Sequence, residues 1–211
     1  MNTYVKLAED RVEKFDNQAT AVHTTGPIKE IVNRFISRDD LVLVDVGGGN
    51  GTFMDQLLLD FPNARGVNVE LSPGMCKKNN VSVRKEVFCA NFIEWAERQA
   101  RNKRKVDVVF FNFVLHHFVS RGYAESISLQ KTALEAASRI IADDGMIVVY
   151  EINYNGAWID DLPSKLIHFL TSSRWMAPLI KALGANTAGY GVCFHSEKFW
   201  KSTYGCVGMS V

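Results

Sequence analysis

The residues best suited to bind a ligand lie in the stretch LVLVDVGGGNGTF, residues 41–53. An apolar run typical of a buried strand leads directly into Gly47, Gly49 and Gly51. Because glycine has no Cβ, alternating glycines let the backbone bend sharply and come into van der Waals contact with a ligand. Amide groups at the start of the next helix can meet a negatively charged group, and Asp45 can accept a hydrogen bond from a ligand amine. The stretch therefore predicts a binding loop between a strand and a helix.

The spacing of these glycines discriminates between ligands. A dinucleotide-binding loop needs the pattern G-x-G-x-x-G, but the sixth position counted from Gly47 is Thr52. A phosphate loop needs a lysine after the glycines, and none follows. The spacing thus disfavours a nicotinamide-dependent oxidoreductase, which is kept as a rival interpretation.

Further polar residues stand at the ends of the next predicted strands. Glu70 ends the second strand, where a carboxylate can accept hydrogen bonds from both hydroxyls of a ribose. Asn91 follows the third strand and Asn112 ends the fourth. The carboxyl ends of parallel strands share one edge of a sheet, so flat apolar neighbours there predict an adenine slot. These neighbours are Phe92 and Phe113.

Two histidines, His116 and His117, follow the fourth strand at the same edge. An imidazole with a pKa near 6.5 can take a proton from a hydroxyl group, so both are candidate catalytic bases. The alternative is that one of them packs against or caps the following segment. We expect His195 to line a cap and His23 to lie in a lid segment.

His168 is expected to be structural, because it stands among apolar residues. A metal site would need several carboxylates at the crevice edge. Asp143 and Asp144 precede their strand, and no partner set accompanies Asp160 and Asp161. We therefore predict no metal.

Helices and strands alternate along the chain, which predicts an α/β fold with a Rossmann-like, doubly wound, mainly parallel sheet and helices on both faces. Predicted strands are 41–46, 66–70, 81–89, 106–113 and 146–152. The first two predicted helices are a polar one at 3–17 and one that opens at Pro27. Later helices are predicted after the glycines, at Ser72-Pro73, at 91–103, at 123–142 and at 196–204. Residues 153–195 predict a helical cap inserted after the fifth strand.

Four segments together resemble class I S-adenosylmethionine-dependent methyltransferases of the small-molecule type. VDVGGGNG resembles their D-x-G-x-G-x-G signature, and GVNVELSPGM resembles their second-strand ribose motif. NFVLHHF resembles the fourth-strand motif, and ASRIIADDGMIVVYE resembles the helix, turn and fifth strand that follow. The resemblance covers roughly residues 27–152.

The resemblance implies S-adenosylmethionine as cofactor and S-adenosylhomocysteine (SAH) as product. It implies methyl transfer to a hydrophobic or aromatic small molecule, with O-methylation expected. N- or C-methylation and a noncatalytic methyltransferase-like interaction protein are the alternatives. The implied cofactor-binding residues are Asp45, Gly47, Gly49, Gly51, Glu70, Leu71, Asn91, Phe92, Asn112 and Phe113.

The chain departs from the family pattern at three places. Asn91 stands where the family often has an aspartate, and Asp143-Asp144-Gly145 replaces the usual Pro-Gly-Gly turn before the fifth strand. After the helix predicted at 196–204, GMSV cannot supply the antiparallel hairpin that completes the family's sheet. We therefore expect one domain over 1–211. Its parts are an N-terminal helix and lid (1–26), a cofactor-binding core (27–152), a substrate cap (153–195), and a final helix with an incomplete strand region (196–211).

Composition and charge limit the possible partners. The 211 residues are 47% hydrophobic with a formal net charge of +1, so no overall field favours nucleic acid. The four cysteines form no CxxC pair or zinc-like spacing, which favours reduced thiols in the cytoplasm. The sequence shows neither an apolar signal core nor a membrane span. The apolar face of the cap, flanked by Lys165, Arg174 and Lys181, is also compatible with peripheral membrane contact. The oligomeric state is left open.

Overall fold

The structure is a computed structural model that describes residue 5, residues 20–182 and residues 187–207. The polar helix predicted at residues 3–17 therefore lies outside the described residues, apart from residue 5. The described chain divides into two compact units. The sheet unit contains residues 20–112 and 139–150, and the helical unit contains residues 113–138 and 151–207.

The sheet unit is built on five parallel strands. They are β1 (Val42–Val46), β2 (Arg65–Glu70), β3 (Lys85–Cys89), β4 (Val106–Asn112) and β5 (Ile141–Tyr150). Their order in the sheet is β3-β2-β1-β4-β5, and every neighbouring pair is parallel. The strand order reverses between β1 and β4, the position at which open α/β sheets bind ligands. This arrangement confirms the predicted Rossmann-like, doubly wound sheet.

One face of the sheet is covered by α1 (Thr20–Phe35) and α2 (Thr52–Asp60). Ile28, Val32 and Ile36 recur every four residues, so they lie along one side of the chain and are buried. They join a core formed with α2 and the strands, whose further members include Phe53, Met54, Leu57, Leu58, Leu43, Val108 and Phe110. Packing of this apolar stripe against α2 fixes the position of α2, and hence that of the loop that precedes it.

The opposite face is covered by α4 (Phe92–Arg101). Phe110 and Phe111 are successive residues of β4, so their side chains point to opposite faces of the sheet. Phe111 meets Phe92 edge-on with ring centroids 5.5 Å apart, and Phe92 stacks on Trp95 at 6.1 Å. The short helix α3 (Pro73–Lys78) begins at Ser72, whose hydroxyl accepts a hydrogen bond from the N–H of Met75. Helices therefore lie on both faces, as predicted.

Two elements of the sheet unit start elsewhere than predicted. Helix α1 begins at Thr20 and runs through Pro27. A proline removes one backbone donor, and the buried stripe that follows it offsets that loss. Strand β3 begins at Lys85 rather than at residue 81, because the two preceding valines, Val81 and Val83, are fully exposed.

Strand β5 contains the predicted turn as an irregularity. Val106 pairs with Ile141 and Val108 with Met146, so residues 142–145 lie outside the regular ladder. The predicted strand start at 146 is thus where regular pairing resumes.

The helical unit contains most of α5 (Tyr123–Ile140), together with α6 (Leu162–Ser172), α7 (Ala177–Ala182) and α8 (Glu197–Cys206). Helix α6 ends at Ser172, and Pro178 lies in the first turn of α7, a position that suits proline. The hydroxyl of Ser196 accepts from the N–H of Phe199 and caps α8.

Many of the apolar residues around α6 are exposed. Leu162, Leu166 and Phe169 are more than half exposed, and Trp158 and Trp175 are almost fully exposed. Within the described part of the chain, no helix is long and apolar enough to cross a membrane.

Candidate active site

The glycine loop connects β1 to α2 and depends on left-handed backbone angles. Gly47, Gly49 and Gly51 have φ values of 64°, 54° and 80°, a region that strains residues carrying a Cβ. The N–H of Gly47 donates to the carbonyl of Val69 at 2.8 Å, which ties the loop to β2. The N–H of Gly51 donates to the carbonyl of Gly48 at 2.9 Å. The loop is therefore a compact turn whose shape requires glycine.

The glycines of the loop differ in what surrounds them. A Cβ built on Gly49 meets no atom within 4 Å. A Cβ on Gly48 would overlap the side chain of Asn68, and one on Gly51 would overlap that of Asn79. Gly48 and Gly51 thus allow close packing within the protein, whereas Gly49 borders open space that a ligand can fill.

Glu70 stands at the end of β2 beside this loop. Its side chain is buried, and Oε2 accepts a hydrogen bond from the N–H of Gly49 at 3.0 Å. Oε1 accepts from the N–H of Ser72 at 2.7 Å. The two amides fix the carboxylate between the glycine loop and α3. This is the position that the sequence predicts for a ribose acceptor.

Three buried oxygen atoms near this edge lack a hydrogen-bond donor among the described residues: Oδ2 of Asp45, Oδ1 of Asn68 and Oδ1 of Asn112. Asp45 lies on β1 and Asn112 ends the neighbouring strand β4. Burial, and then the charge of Glu70, raise the pKa of Asp45 to about 8. A buried acceptor without a donor costs about 1–3 kcal/mol. A ligand that carries N–H or ammonium groups would supply the donors.

A histidine–carboxylate pair occupies the helical unit just after β4. Nδ1 of His116 lies 2.8 Å from Oε2 of Glu151, and the N–H of Leu115 donates to Oε1 at 2.8 Å. The side chains of His116 and Glu151 are 10% and 3% exposed. Because a carboxylate can only accept, neutral His116 carries its proton on Nδ1 and keeps the lone pair on Nε2. The pair has the arrangement of an oriented general base.

Aromatic rings hold the imidazole of His116 in place. It stacks on Phe194 with ring centroids 4.4 Å apart and an interplanar angle of 24°. The ring of His117 lies 4.2 Å away on the adjacent residue, and Tyr154 meets Phe194 edge-on at 5.2 Å. The surroundings of the base are therefore flat and apolar.

A known protein family matches the central part of the chain. Residues 44–147, just under half of the chain, match a family described as methyltransferase domain. This range includes the glycine loop, Glu70 and His116. This part of the chain is therefore similar to the methyltransferase domain family.

Two curated relatives of the methyltransferase domain are plant enzymes. (S)-Scoulerine 9-O-methyltransferase of Coptis japonica is 41% identical over 64 residues, which cover 30% of this chain and 17% of that protein. Caffeic acid 3-O-methyltransferase of Eucalyptus globulus is 23% identical over 143 residues, covering 67% of this chain and 43% of that protein. The chain spans less than half the length of these relatives.

Solved structures of methyltransferases share the fold. The plantazolicin methyltransferase BamL, in complex with a triazolic desmethylPZN analog and SAH, is 13% identical with a TM-score of 0.64. The match covers 94% of this chain and 66% of that one. The mitomycin 7-O-methyltransferase MmcR is 16% identical with a TM-score of 0.59, covering 93% of this chain and 51% of that one. These likenesses confirm the Rossmann-like fold.

The remaining predicted cofactor residues of the methyltransferase domain lie at the same strand ends. The side-chain oxygen of Asn91 accepts from the N–H groups of Ile93 and Glu94 and so caps α4. Phe92 is 4% exposed, and its ring packs in the core. Leu71 is half-buried after β2, and Phe113, also half-buried, has a φ of 50°. Ligand contacts of Leu71, Asn91, Phe92 and Phe113 stay predictions.

The other candidate base, His117, has a pKa that is lowered by its surroundings. Burial, and then the neighbouring His116, lower its pKa well below the usual value. An imidazole with so low a pKa binds a proton weakly, which makes His117 the poorer of the two candidate bases.

The prediction that His195 lines the cap is wrong, because His195 is 1% exposed. Its Nε2 lies 2.7 Å from Oε1 of Gln130, and its ring stacks on Phe199 at 3.7 Å. Burial lowers the pKa of His195 to about 4. His168 is also buried, 3.3 Å from the hydroxyl of Ser126. The side chain of His23 is not among those described.

The acidic side chains of the described residues do not converge on a metal-like cluster. Across the described ranges, no three His, Cys, Asp or Glu side chains form a group that could hold a metal ion. Asp144 pairs with Arg38, and Asp161 pairs with Lys165 at 2.6 Å.

Sequence reasoning missed three residues that the structure places around the candidate sites. Glu151 directly follows β5, so the strand-end rule that selected Asn112 applies to it equally. Asn68 is a polar residue inside an apolar strand, which is a detectable signal. Asn79 follows a short helix, and nothing in its local sequence marks it.

Proposed function

We propose that this chain binds S-adenosylmethionine beside the glycine loop and transfers its methyl group to a hydroxyl oxygen of a hydrophobic or aromatic small molecule. The observation that carries the choice of oxygen is the buried pair of His116 and Glu151. A hydroxyl group is a poor nucleophile until it loses its proton, so its methylation benefits from a positioned base.

The residues of the sheet unit fit the cofactor. S-adenosylmethionine has an ammonium group, and Asp45 and Asn112 present buried acceptor oxygens that lack a donor. It also has two ribose hydroxyls, for which Glu70 is the acceptor at the end of β2. The open space beside Gly49 lets the ligand approach the backbone.

When bound, S-adenosylmethionine supplies a methyl group on a positively charged sulfur. His116 accepts the acceptor's hydroxyl proton on Nε2, while Glu151 holds its Nδ1–H and stabilises the imidazolium that forms. The electron pair of the former O–H bond would form the new bond to carbon. The carbon–sulfur bond of the bound cofactor would break with its electron pair left on sulfur, and SAH would leave as a neutral thioether. Orientation of such a nucleophile can contribute about 7–11 kcal/mol to lowering the barrier.

An aromatic acceptor is supported by two observations. The base lies against Phe194 and near Tyr154, which offer flat apolar surface. The curated relatives include O-methyltransferases named for caffeic acid and bergaptol. Cytoplasmic location is supported by the four cysteines, all of which are free thiols.

The proposal is tested by supplying methyl-labelled S-adenosylmethionine and a panel of phenols that includes caffeic acid and bergaptol. We expect label on a phenolic oxygen, and a loss of about 10²–10⁴-fold in kcat for His116→Asn. His117→Asn is the matched variant, since it removes the neighbouring imidazole, and it should retain most activity.

Two outcomes would contradict the proposal. Label that appears on nitrogen or carbon would exclude O-methylation and favour the alternative acceptors. Full activity of His116→Asn towards a phenol would exclude His116 as the base.

A further inference from the structure

Two asparagines contact the glycine loop from the side of β2 and α3. Nδ2 of Asn79, the residue that ends α3, donates to the carbonyl of Gly49 at 3.0 Å and to that of Met75 at 3.1 Å. Nδ2 of Asn68 donates to Oδ1 of Asn79 at 2.8 Å and lies 3.4 Å from the same Gly49 carbonyl. We call these two residues the asparagine pair.

The asparagine pair and Glu70 together hold both backbone groups of Gly49. The N–H of Gly49 donates to Glu70, and its carbonyl accepts from Asn79. In a trans peptide the carbonyl and the following N–H point in opposite directions. With the Gly49 carbonyl turned towards the asparagine pair, the next amide is turned to the other side of the loop. Peptide orientation at the open glycine is therefore set by side chains.

Close packing makes this orientation specific. A Cβ on Gly48 would overlap Asn68, and a Cβ on Gly51 would overlap Asn79, so these glycines let the two amides reach the backbone. Asn68 is fully buried. The buried ammonium of Lys85 would also lie within 2.9 Å of a Gly51 Cβ. The space into which the loop could relax on this side is already filled.

We propose that Asn79, supported by Asn68, is a positioning residue that sets the affinity of the loop for S-adenosylmethionine. It does so by fixing the Gly49 peptide before the ligand arrives, which lowers the ordering cost of binding. Neither asparagine has to touch the ligand. This inference rests on the proposed cofactor site beside Gly49.

The test is calorimetric binding of SAH to the full chain and to Asn79→Ala and Asn79→Leu. Alanine removes the amide, while leucine keeps a similar volume without a donor. We expect Kd to rise about tenfold in both, the equivalent of one lost hydrogen bond. Unchanged affinity in both variants would overturn the positioning role.

Asn80→Ala is the matched control. Asn80 is the next residue, and its Nδ2 donates to Asp55 at 2.8 Å rather than to a glycine carbonyl. Its removal should change the Kd of SAH by less than about twofold. Melting curves without ligand separate affinity from folding, because a positioning role predicts that binding weakens even where the variants remain fully folded. A tenfold loss in Asn80→Ala as well would overturn the specific role of Asn79.

A measurement on the unaltered chain covers the case in which the Asn79 variants do not fold. The side-chain amide protons of Asn68 and Asn79 should exchange slowly with solvent, and more slowly still when SAH is added. Exchange at the rate of an exposed amide in both states would overturn the proposal. A wild-type chain that does not bind SAH would instead overturn the cofactor site, and this role with it.

Discussion

Glu151 lies 2.8 Å from Nδ1 of His116, although the two residues are 35 positions apart in the chain. The same carboxylate accepts from the N–H of Leu115, so it fixes both the backbone and the side chain of the 3₁₀ turn Leu115–His117. A carboxylate that is 3% exposed and bonded at both oxygens is a rigid partner for an imidazole. The pair is the feature of this chain that most directly indicates proton transfer.

Glu151→Gln tests this pair. The glutamine oxygen can still accept one hydrogen bond, but the negative charge that stabilises an imidazolium is lost. We expect kcat to fall by at least about tenfold while KM for S-adenosylmethionine stays near its wild-type value. Steady-state kinetics with the best phenol of the panel measures both. A rise in KM with unchanged kcat would contradict the orienting role.

Gly48→Ala and Gly49→Ala should separate stability from ligand binding. The Gly48 variant overlaps Asn68 and should lose stability, whereas the new methyl of the Gly49 variant enters open space. At Gly49 the positive φ adds about 1 kcal/mol of backbone strain. We expect Gly49→Ala to melt close to the wild type and to bind SAH weakly. Our assignment places Gly49 beside the ligand and Gly48 within the protein. It would be reversed if a folded Gly48→Ala lost affinity for SAH while Gly49→Ala bound SAH normally.

Asp45→Asn should change the pH dependence of stability. The pKa of Asp45 is about 8 in the folded chain, against an ordinary value of 3.8. Between these values the folded state binds more protons, so stability falls as pH rises, by at most about 1.4 kcal/mol per unit. The asparagine of the variant cannot ionise, so the variant does not lose stability in this way as pH rises. Its stability relative to wild type should therefore grow from about pH 4 to about pH 8 and then level off.

Urea unfolding of both proteins across this range measures the difference. A stability difference that is the same at acidic and alkaline pH would show that Asp45 is ionised throughout.

Gln130→Leu should destabilise the helical unit. Nε2 of Gln130 donates to the carbonyls of Leu115 and Cys193 at 3.0 and 2.8 Å. Its Oε1 lies 2.7 Å from His195. Leucine has a similar volume but leaves these buried groups without partners, which should cost about 3 kcal/mol or more. Gln99→Leu, on the half-buried side of α4, is the control and should change stability by less than about 1 kcal/mol.

Chemical denaturation measures both glutamine variants. Equal stability of Gln130→Leu and wild type would mean that the buried bridge between the His116 segment and residue 193 contributes nothing.

The sequence was sufficient to predict the sheet because its patterns are local. Residues 106–113 are apolar at all but two positions, which predicted a strand, and β4 is buried on both faces. The glycine loop and Glu70 were placed by their position after β1 and β2.

Long-range contacts could not be predicted in this way. The partner of His116 comes from the chain after β5, and sequence spacing does not reveal which carboxylate reaches a given imidazole. His195 appeared to be a loop residue because its burial depends on Gln130 and Phe199, which are distant or on the next helix. The exposure of Trp158 and Trp175 could not be predicted either, since sequence spacing does not show which side chains another element covers.

The measurement that tests the central claim most directly is calorimetric titration of the 211-residue chain with SAH, with NAD as the control ligand. We predict one SAH site of micromolar affinity and no heat from NAD, because the open glycine, the donorless oxygens and Glu70 suit an amino-acid nucleoside. Binding of NAD without SAH would contradict the account and favour an oxidoreductase. Silence from both ligands would contradict a functional cofactor site in this chain.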